Sequence, residues 1–418
     1  MTRRSLFAGS VVLSGSVGLA VSTGSFLGIG VSILLPALWV PQNSARLCLY
    51  CAFAYYLMAL WSVPMVARNF FGPNAGLING IVLWLVASVL LAVPWRLVWS
   101  DDATSVLWRV PLGLLASIVP PLGLIGWASP TVAAGLLFPA TGYAGFVVTL
   151  LIPGCLAVFP KLTIVCAAVL AVACNVVHPR WPEVPTGWHG IDTQYGGVAH
   201  ERVDPVREYQ MAEDLKARAV LSKASVIVFP ESVLPRWTPA SDLFWADTID
   251  ALRSSGKIVV IGAIAPTRTH SDYDFAASLE ALHDAPAVRP DPGRPSRQHA
   301  PLTYTNGVVI RGASSGEFIQ RVPVPIGMWR PFTNTGAPLR LSSPAVMRIA
   351  DQTAAVVICY EQLIPWPTLT AFLDRPTIMI AIANQFWVAG TAIPEVQRNS
   401  VRAWARLFRV PVVFASNT

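Results

Sequence analysis

The sequence predicts an α-helical polytopic membrane domain over residues 1–178, joined to a covered α/β domain over residues 179–418. Three observations carry this reading. Before residue 178 the only charged side chains are Arg3, Arg4, Arg46, Arg68, Arg96, Asp101, Asp102, Arg109 and Lys161. Within that stretch apolar runs of membrane-spanning length follow one another. Beyond Pro179 the composition turns ordinary, and short β-branched runs alternate with helical periodicities, the pattern of a sheet covered by helices.

The candidate spans are about 5–22, 25–40, 47–66, 77–95, 106–126, 131–152 and 161–177. Breaks fall at Pro41-Gln42-Asn43, Asn69 to Asn74, Ser100-Asp101-Asp102, Ser129-Pro130 and Pro153-Gly154. Residues 5–40 are too long for one span and short for two. Arg3-Arg4, an apolar stretch and Ala20-Val21-Ser22 also fit a signal peptide, but further apolar runs follow at once, which favours an uncleaved first helix. With seven spans and the amino terminus inside, Arg3, Arg4, Arg46, Arg96, Arg109 and Lys161 sit at cytoplasmic ends. The α/β domain then lies outside the cytoplasm, in the periplasm of a bacterial inner-membrane protein. A single crossing over residues 5–40 reverses that side.

The net charge is +7 with 54% hydrophobic and 13% charged residues. No dense basic run with interleaved aromatics appears, so nucleic-acid binding is not expected, and the positive charge suits anionic lipid headgroups. Cys48 and Cys51 have metal-ligand spacing but lie within an apolar run and lack a second pair, so they read as small helix residues. No metal or cofactor is expected. Asn69–Asn74 and Trp127–Pro130 are either floors of a substrate cavity or ordinary aromatic interfacial loops.

In the second half, His189–Gln194 is a first short strand and 206–222 a helix with Met211, Leu215 and Ala219 on one face. A strand at Val226–Phe229, a helix around 242–254 and a strand at Ile258–Ala263 follow. Residues 266–302, rich in Pro, Arg, Asp and His, are an exposed insertion. Strands resume at 306–310, 318–324, 354–359 and 377–383. A helix over 394–408 and a strand over 410–415 complete the pattern.

Two strands end on reactive side chains. Ala354–Ile358 delivers Cys359, followed by Tyr360-Glu361. Val226–Phe229 leads to Pro230-Glu231-Ser232. A strand end holds a nucleophile rigidly and exposes it, and a thiol needs a neighbouring base because it is mostly protonated at neutral pH. The alternatives are an inert buried thiol and a structural carboxylate. A Cys–His pair has no obvious histidine, since all six lie between His178 and His299, mostly in loops.

These residues resemble the nitrilase, or carbon–nitrogen hydrolase, superfamily. The match runs through Phe229-Pro230-Glu231-Ser232, Val324-Pro325-Ile326-Gly327, Ile358-Cys359-Tyr360-Glu361 and Asn384-Gln385-Phe386-Trp387. The membrane half followed by such a domain is similar to the apolipoprotein N-acyltransferases. A further resemblance, to a family of plasmid conjugal transfer proteins, spans essentially the whole chain through Ile125–Ala128, Ala133–Pro139 and Pro323-Val324-Pro325. The resemblance implies an αββα sandwich and a Glu–Lys–Cys triad. Glu231 is then the general base and Cys359 the nucleophile of a thioester route. Glu361 would orient the second substrate or leaving group, the Tyr360 amide would line an oxyanion site, and Asn384 and Trp387 would shape the pocket.

The sequence departs from the family at the lysine. The ungapped match puts Gln320 there, with Arg321 beside it, and no lysine follows Lys257. Arg321 is the candidate substitute, able to donate hydrogen bonds but not to lose a proton; the opposing reading is a strand-edge arginine facing solvent. The glutamate that follows Val-Pro-x-Gly in the acyltransferases is Met328 here. Two functions remain open. One is an amidase or N-acyltransferase using a phospholipid acyl donor and a protein or peptide amine. The other is a non-catalytic component of conjugal transfer that works with other transfer proteins. A transporter is disfavoured, because no charged pairs stand at membrane depth.

Overall fold

The computed structural model describes residues 3–196, 205–234, 237–266, 304–333 and 335–418. The first half is helical: α1 (Arg3–Ser22), α2 (Phe26–Gly30), α3 (Leu34–Trp39), α4 (Ala45–Ala59), α5 (Val63–Phe71), α6 (Pro73–Leu97), α7 (Ala103–Ile118), α8 (Ala134–Leu137), α9 (Tyr143–Val158) and α10 (Pro160–Val177). Polar caps fall where the sequence breaks. Ser44 accepts from the Leu47 amide at the start of α4, and Asp102 accepts from the Thr104 and Ser105 amides at the start of α7.

Among the described residues, two helical segments are long and apolar enough to cross a bilayer, Gly76–Leu97 and Pro160–Val177. A third crossing is available if α4 and α5, bent by 45° at their junction, count as one. The remaining apolar helices are shorter. The expected span over 25–40 is broken into α2, a 3-10 turn and α3. The expected span over 131–152 is corrected: Pro130 starts a short turn, Pro139 to Gly142 interrupt the helix, and α9 begins only at Tyr143. The segment before α9 instead packs on the second half. At Gly135 the backbone approaches the Ala403 carbonyl so closely that a Cβ would stand 1.8 Å from its oxygen. Cys48 and Cys51 are buried in α4, and the Cys48 thiol faces the Trp39 carbonyl.

The second half is a four-layer αββα sandwich. One sheet has the order β1 (Trp188–Gly190), β2 (Val226–Val228), β3 (Ile258–Pro266), β4 (Tyr304–Gly312), β5 (Gly316–Ile319). The other has the order β6 (Val346–Ile349), β7 (Gln352–Ile358), β8 (Ile378–Asn384), β9 (Val412–Asn417). β1–β3 and β7–β9 run parallel, and their hydrophobic runs are nearly continuous, as both faces of each sheet are covered.

Strand alternation sorts the layers. Val226, Val228, Val260 and Ile310 meet Val356, Ile358, Ile380 and Ala415 between the sheets. Ile227, Val259 and Ile261 face outward to α11 (Pro205–Leu221), α12 (Pro239–Phe244) and α13 (Ala246–Ser254), where Leu215, Trp245 and Leu252 cover them. Val357, Met379 and Ala381 face outward to α14 (Pro365–Phe372) and α15 (Ile393–Phe408), where Phe372, Val401 and Ala405 lie.

Two expected elements differ. The helix around 242–254 divides at the buried Trp245 into α12 and α13. The strand over 318–324 stops at Ile319, because the Arg321 and Val322 amides leave the ladder and donate to the Glu361 carboxylate at 2.8 and 2.9 Å. The insertion expected at 266–302 lies, apart from Pro266, outside the described residues.

Candidate active site

Glu231 and Cys359 come from different sheets and meet between them. Glu231 follows β2, and the chain approaches β3 so closely there that a Cβ on Gly262 would lie 2.1 Å from the Pro230 carbonyl oxygen. Cys359 follows β7 in a left-handed conformation, φ 52°, and opens the 3-10 turn Cys359–Leu363. Such a backbone costs on the order of 1–3 kcal/mol for a residue with a Cβ and persists only when the surroundings enforce it. Here the Gln397 side chain donates to the Cys359 carbonyl at 2.9 Å, and the Gln362 amide reaches the Ile382 carbonyl at 2.8 Å.

The Cys359 thiol faces the Glu231 carboxylate and the Trp387 side chain, and it donates to the Asn384 carbonyl at 3.9 Å. Burial pushes the thiol well above its ordinary range, and the Glu231 charge pushes it further. Burial likewise raises Glu231, while the facing Cys359 thiol and hydrogen bonds from the Asn384 amide and Asn306 oppose that rise. The resting pair is therefore a protonated thiol facing a carboxylate that binds protons more readily than usual. A raised carboxylate is a better base for that thiol.

The Glu231 oxygens have separate holders. Asn306 donates to Oε1 at 2.6 Å, and the Asn384 backbone amide donates to Oε2 at 2.8 Å. Asn306 also donates to Gln320 Oε1 at 2.9 Å, and Gln320 donates to the Ile358 carbonyl at 2.9 Å. The position to which the resemblance assigns a lysine is thus filled by a neutral amide that ties Asn306 to Ile358, the residue before Cys359. Asn306 was not picked out in the sequence. Its signal was a polar side chain at the start of the otherwise apolar run of β4, which burial obliges to find partners.

Three sequence assignments change. Arg321 is buried, but its guanidinium donates to Thr370 Oγ1 at 2.8 Å and to the Pro367 carbonyl on α14. It therefore does not take the lysine's place beside Cys359. Glu361 does not face a substrate site: Oε1 takes the Arg321 and Val322 amides, and Oε2 takes the Ile358 amide at 2.9 Å. It clamps the segment after β5 to the nucleophile turn, and burial raises its pKa against the opposing Arg321 charge and these amides. The Asn384 side chain is engaged by Asn417 Nδ2 at 3.2 Å, so its contribution to the pair comes through its backbone, the amide to Glu231 and the carbonyl to the Cys359 thiol. Trp387 lies beside the Cys359 sulfur. The Tyr360 hydroxyl donates to the Leu124 carbonyl at 2.8 Å, joining the nucleophile turn to the helical half.

The helical half also closes the near side of the site. Asn69 donates to the Trp387 and Ala389 carbonyls at 3.3 and 3.0 Å, and Phe70 stacks with Phe386 at 6.5 Å between ring centres. Asn69 and Phe70 thus pack against the turn that carries Trp387.

No family model matches the chain. Two curated proteins match nearly its full length. "Probable conjugal transfer protein TraB" of Sinorhizobium fredii is 29% identical over 411 residues, 96% of each chain. "Conjugal transfer protein TraB" of Agrobacterium fabrum is 29% identical over 430 residues, 98% of this chain and 92% of that one. Among solved structures, a carbon-nitrogen hydrolase from Helicobacter pylori G27 is 11% identical with a TM-score of 0.34, covering 56% of this chain and 73% of that one. An amidase of the nitrilase superfamily from Nesterenkonia AN1 is 12% identical with a TM-score of 0.31, covering 56% and 78%.

Proposed function

We propose that this chain is a multi-pass inner-membrane protein of conjugative plasmid transfer whose αββα half acts on amide or acyl bonds through a Cys359 thioester. The observation that carries the chemistry is the Cys359 thiol facing, at two strand ends, a buried Glu231 carboxylate whose oxygens are held by Asn306 and the Asn384 amide. Glu231 takes the thiol proton as sulfur attacks a carbonyl carbon and the carbon–sulfur bond forms. The proton then passes to the departing amine or alcohol. A second nucleophile, water for an amidase or an amine for an N-acyltransferase, breaks the thioester. Trp387 and the Tyr360 backbone amide are the neutral donors assigned to the oxyanion. The near full-length likeness to the two TraB proteins supports the role in transfer.

The test is genetic. Cys359→Ala and Glu231→Gln each reduce mating frequency to that of a deletion while protein abundance stays unchanged. Full complementation by both sinks the enzymatic reading. Recovery of a labelled acyl group on Cys359 after incubation with phospholipid identifies the donor.

A second reading is favoured by one observation, the neutral Gln320 where the family carries its cation. In it the domain binds a partner of the transfer apparatus without turnover, and Cys359→Ala complements fully. For either reading the αββα half is assigned to the periplasm. A carboxy-terminal phosphatase fusion that is inactive, with a cytoplasmic reporter active at the same site, reverses that side.

A further inference from the structure

We propose that α15 lies along the membrane surface and that the arginine-lined cavity at its C-terminal end binds the phosphate of an anionic phospholipid. This rests on the membrane reading above. Two helix ends of the first half meet α15. Asn399 donates to the Gly24 carbonyl, just past α1, at 2.7 Å. Seven residues on, about 10 Å along a helix, Arg406 donates to Asn175 Oδ1, in the last turn of α10, at 2.8 Å. The two ends also touch each other, with Phe26 edge-on to Trp181 at 5.1 Å. A helix contacted by the emerging ends of two apolar helices runs across their exit plane, not along them.

The exit plane is marked independently. α10 keeps large apolar side chains exposed to its last turn, with Val172 64%, Val176 72% and Val177 68% exposed. Apolar exposure of that extent along a lipid-length helix belongs in hydrocarbon, and the next residues belong at headgroup depth. A cavity of about 380 Å³ opens there, lined by Val177, His178, Arg180, Pro182, Arg406 and Arg409 among others.

Among the described residues its charges have no counter-ions. None of the ion pairs among the described residues includes Arg180, Arg398, Arg402, Arg406 or Arg409. The Arg406 guanidinium is held 5.1 Å over the Trp181 ring, and its Nε is buried with no hydrogen-bond partner. Arg398, Arg402 and Arg406 recur every fourth residue and so share one face of α15. Arg398 and Arg402 both lie over the Phe414 ring. A second cavity of about 460 Å³, which shares Trp181's neighbour Pro182 with the first, is lined by Phe26, Trp181, Arg402 and Phe414. Guanidinium groups at headgroup depth, beside aromatic walls, suit a phosphate attached to an apolar tail.

The test uses the full chain in an uncharged maltoside detergent, titrated with short-chain phosphatidylglycerol, short-chain phosphatidylcholine, inorganic phosphate or a single-stranded oligonucleotide. The wild type is compared with Arg180→Gln/Arg409→Asn, whose altered residues are exposed. The expected result is saturable phosphatidylglycerol binding, weakened about tenfold or more in the variant, with phosphatidylcholine and phosphate much weaker. Unchanged lipid affinity in the variant overturns the proposal, and so does equal affinity for phosphatidylcholine. Phosphate binding as tight as lipid makes this a free-phosphate site. Oligonucleotide binding lost in the variant without any lipid response makes it a nucleic-acid site, and either result overturns the lipid assignment. Carbonate extraction separates the two levels: a protein released to the soluble fraction removes the membrane reading itself, whereas a retained protein with unchanged lipid affinity removes only this inference.

Discussion

Gln320 and Arg321 are consecutive, yet their side chains serve opposite layers. Gln320 turns inward to Asn306 and the Ile358 carbonyl, while Arg321 turns outward to Thr370 and Pro367 on α14. Extended backbone sends neighbours to opposite faces. The inward position holds the neutral amide, so the cation one residue away does not reach the thiol.

Arg321→Met tests this directly. It removes the bonds to Thr370 and Pro367 and is expected to destabilise the αββα half by about 1–3 kcal/mol. The pH midpoint of Cys359 alkylation, read in a background with the other five cysteines replaced by serine, stays unchanged. A midpoint that rises in this variant would show that Arg321 does support the thiolate.

Gln320→Lys places a positive charge at the inward position. It is expected to move the alkylation midpoint of Cys359 to lower pH, since a cation favours the thiolate. The thiolate fraction at pH 7.5 then rises about tenfold for each unit that the midpoint falls, and alkylation quickens by about threefold because a less basic thiolate is also less nucleophilic. An unmoved midpoint in a folded variant would mean that the added ammonium is directed elsewhere.

Glu231→Gln should separate two consequences of one side chain. The carboxylate charge raises the thiol pKa, so its removal is expected to lower the alkylation midpoint. Proton removal during turnover is lost at the same time, so mating frequency falls while alkylation becomes easier. A midpoint that rises would contradict the electrostatic reading of the pair.

Glu361→Gln leaves one oxygen where the carboxylate accepts three backbone amides, and sets an amide N–H against another. The expected loss is about 1–3 kcal/mol, read as a lower thermal midpoint. Burial raises the Glu361 pKa above its unfolded value, so the folded wild type holds the extra proton more tightly. That contribution is fully present below the unfolded carboxylate range and is lost as pH rises through the folded value. The gap between wild type and variant should therefore narrow from pH 4.5 to pH 7.5. A gap that widens over this range would refute the direction.

The succession of strands and helices in the second half and the two strand-end groups were legible because they depend on local pattern, whereas the αββα sandwich was implied by the family resemblance. Charge depletion marks the apolar half, β-branched runs mark buried strands, and Pro-Glu and Cys-Tyr-Glu mark their ends. Helix continuity was less legible. Residues 131–142 are as apolar as a span, yet Gly135 lets them pack onto Ala403, and composition does not distinguish a protein neighbour from lipid.

Residue chemistry and order, which set Glu231 and Cys359 at the ends of β-branched runs, were thus determined by sequence alone. Tertiary structure decided which neighbours serve that pair. The phase of an extended segment chose Gln320 over Arg321. Long-range burial turned Glu361 into a clamp for the Ile358, Arg321 and Val322 amides, and made Asn306 the holder of Glu231. The physical reason is that a buried polar group must find its partners across the fold, and for this pair they lie far away in the chain, 153 residues between Glu231 and Asn384.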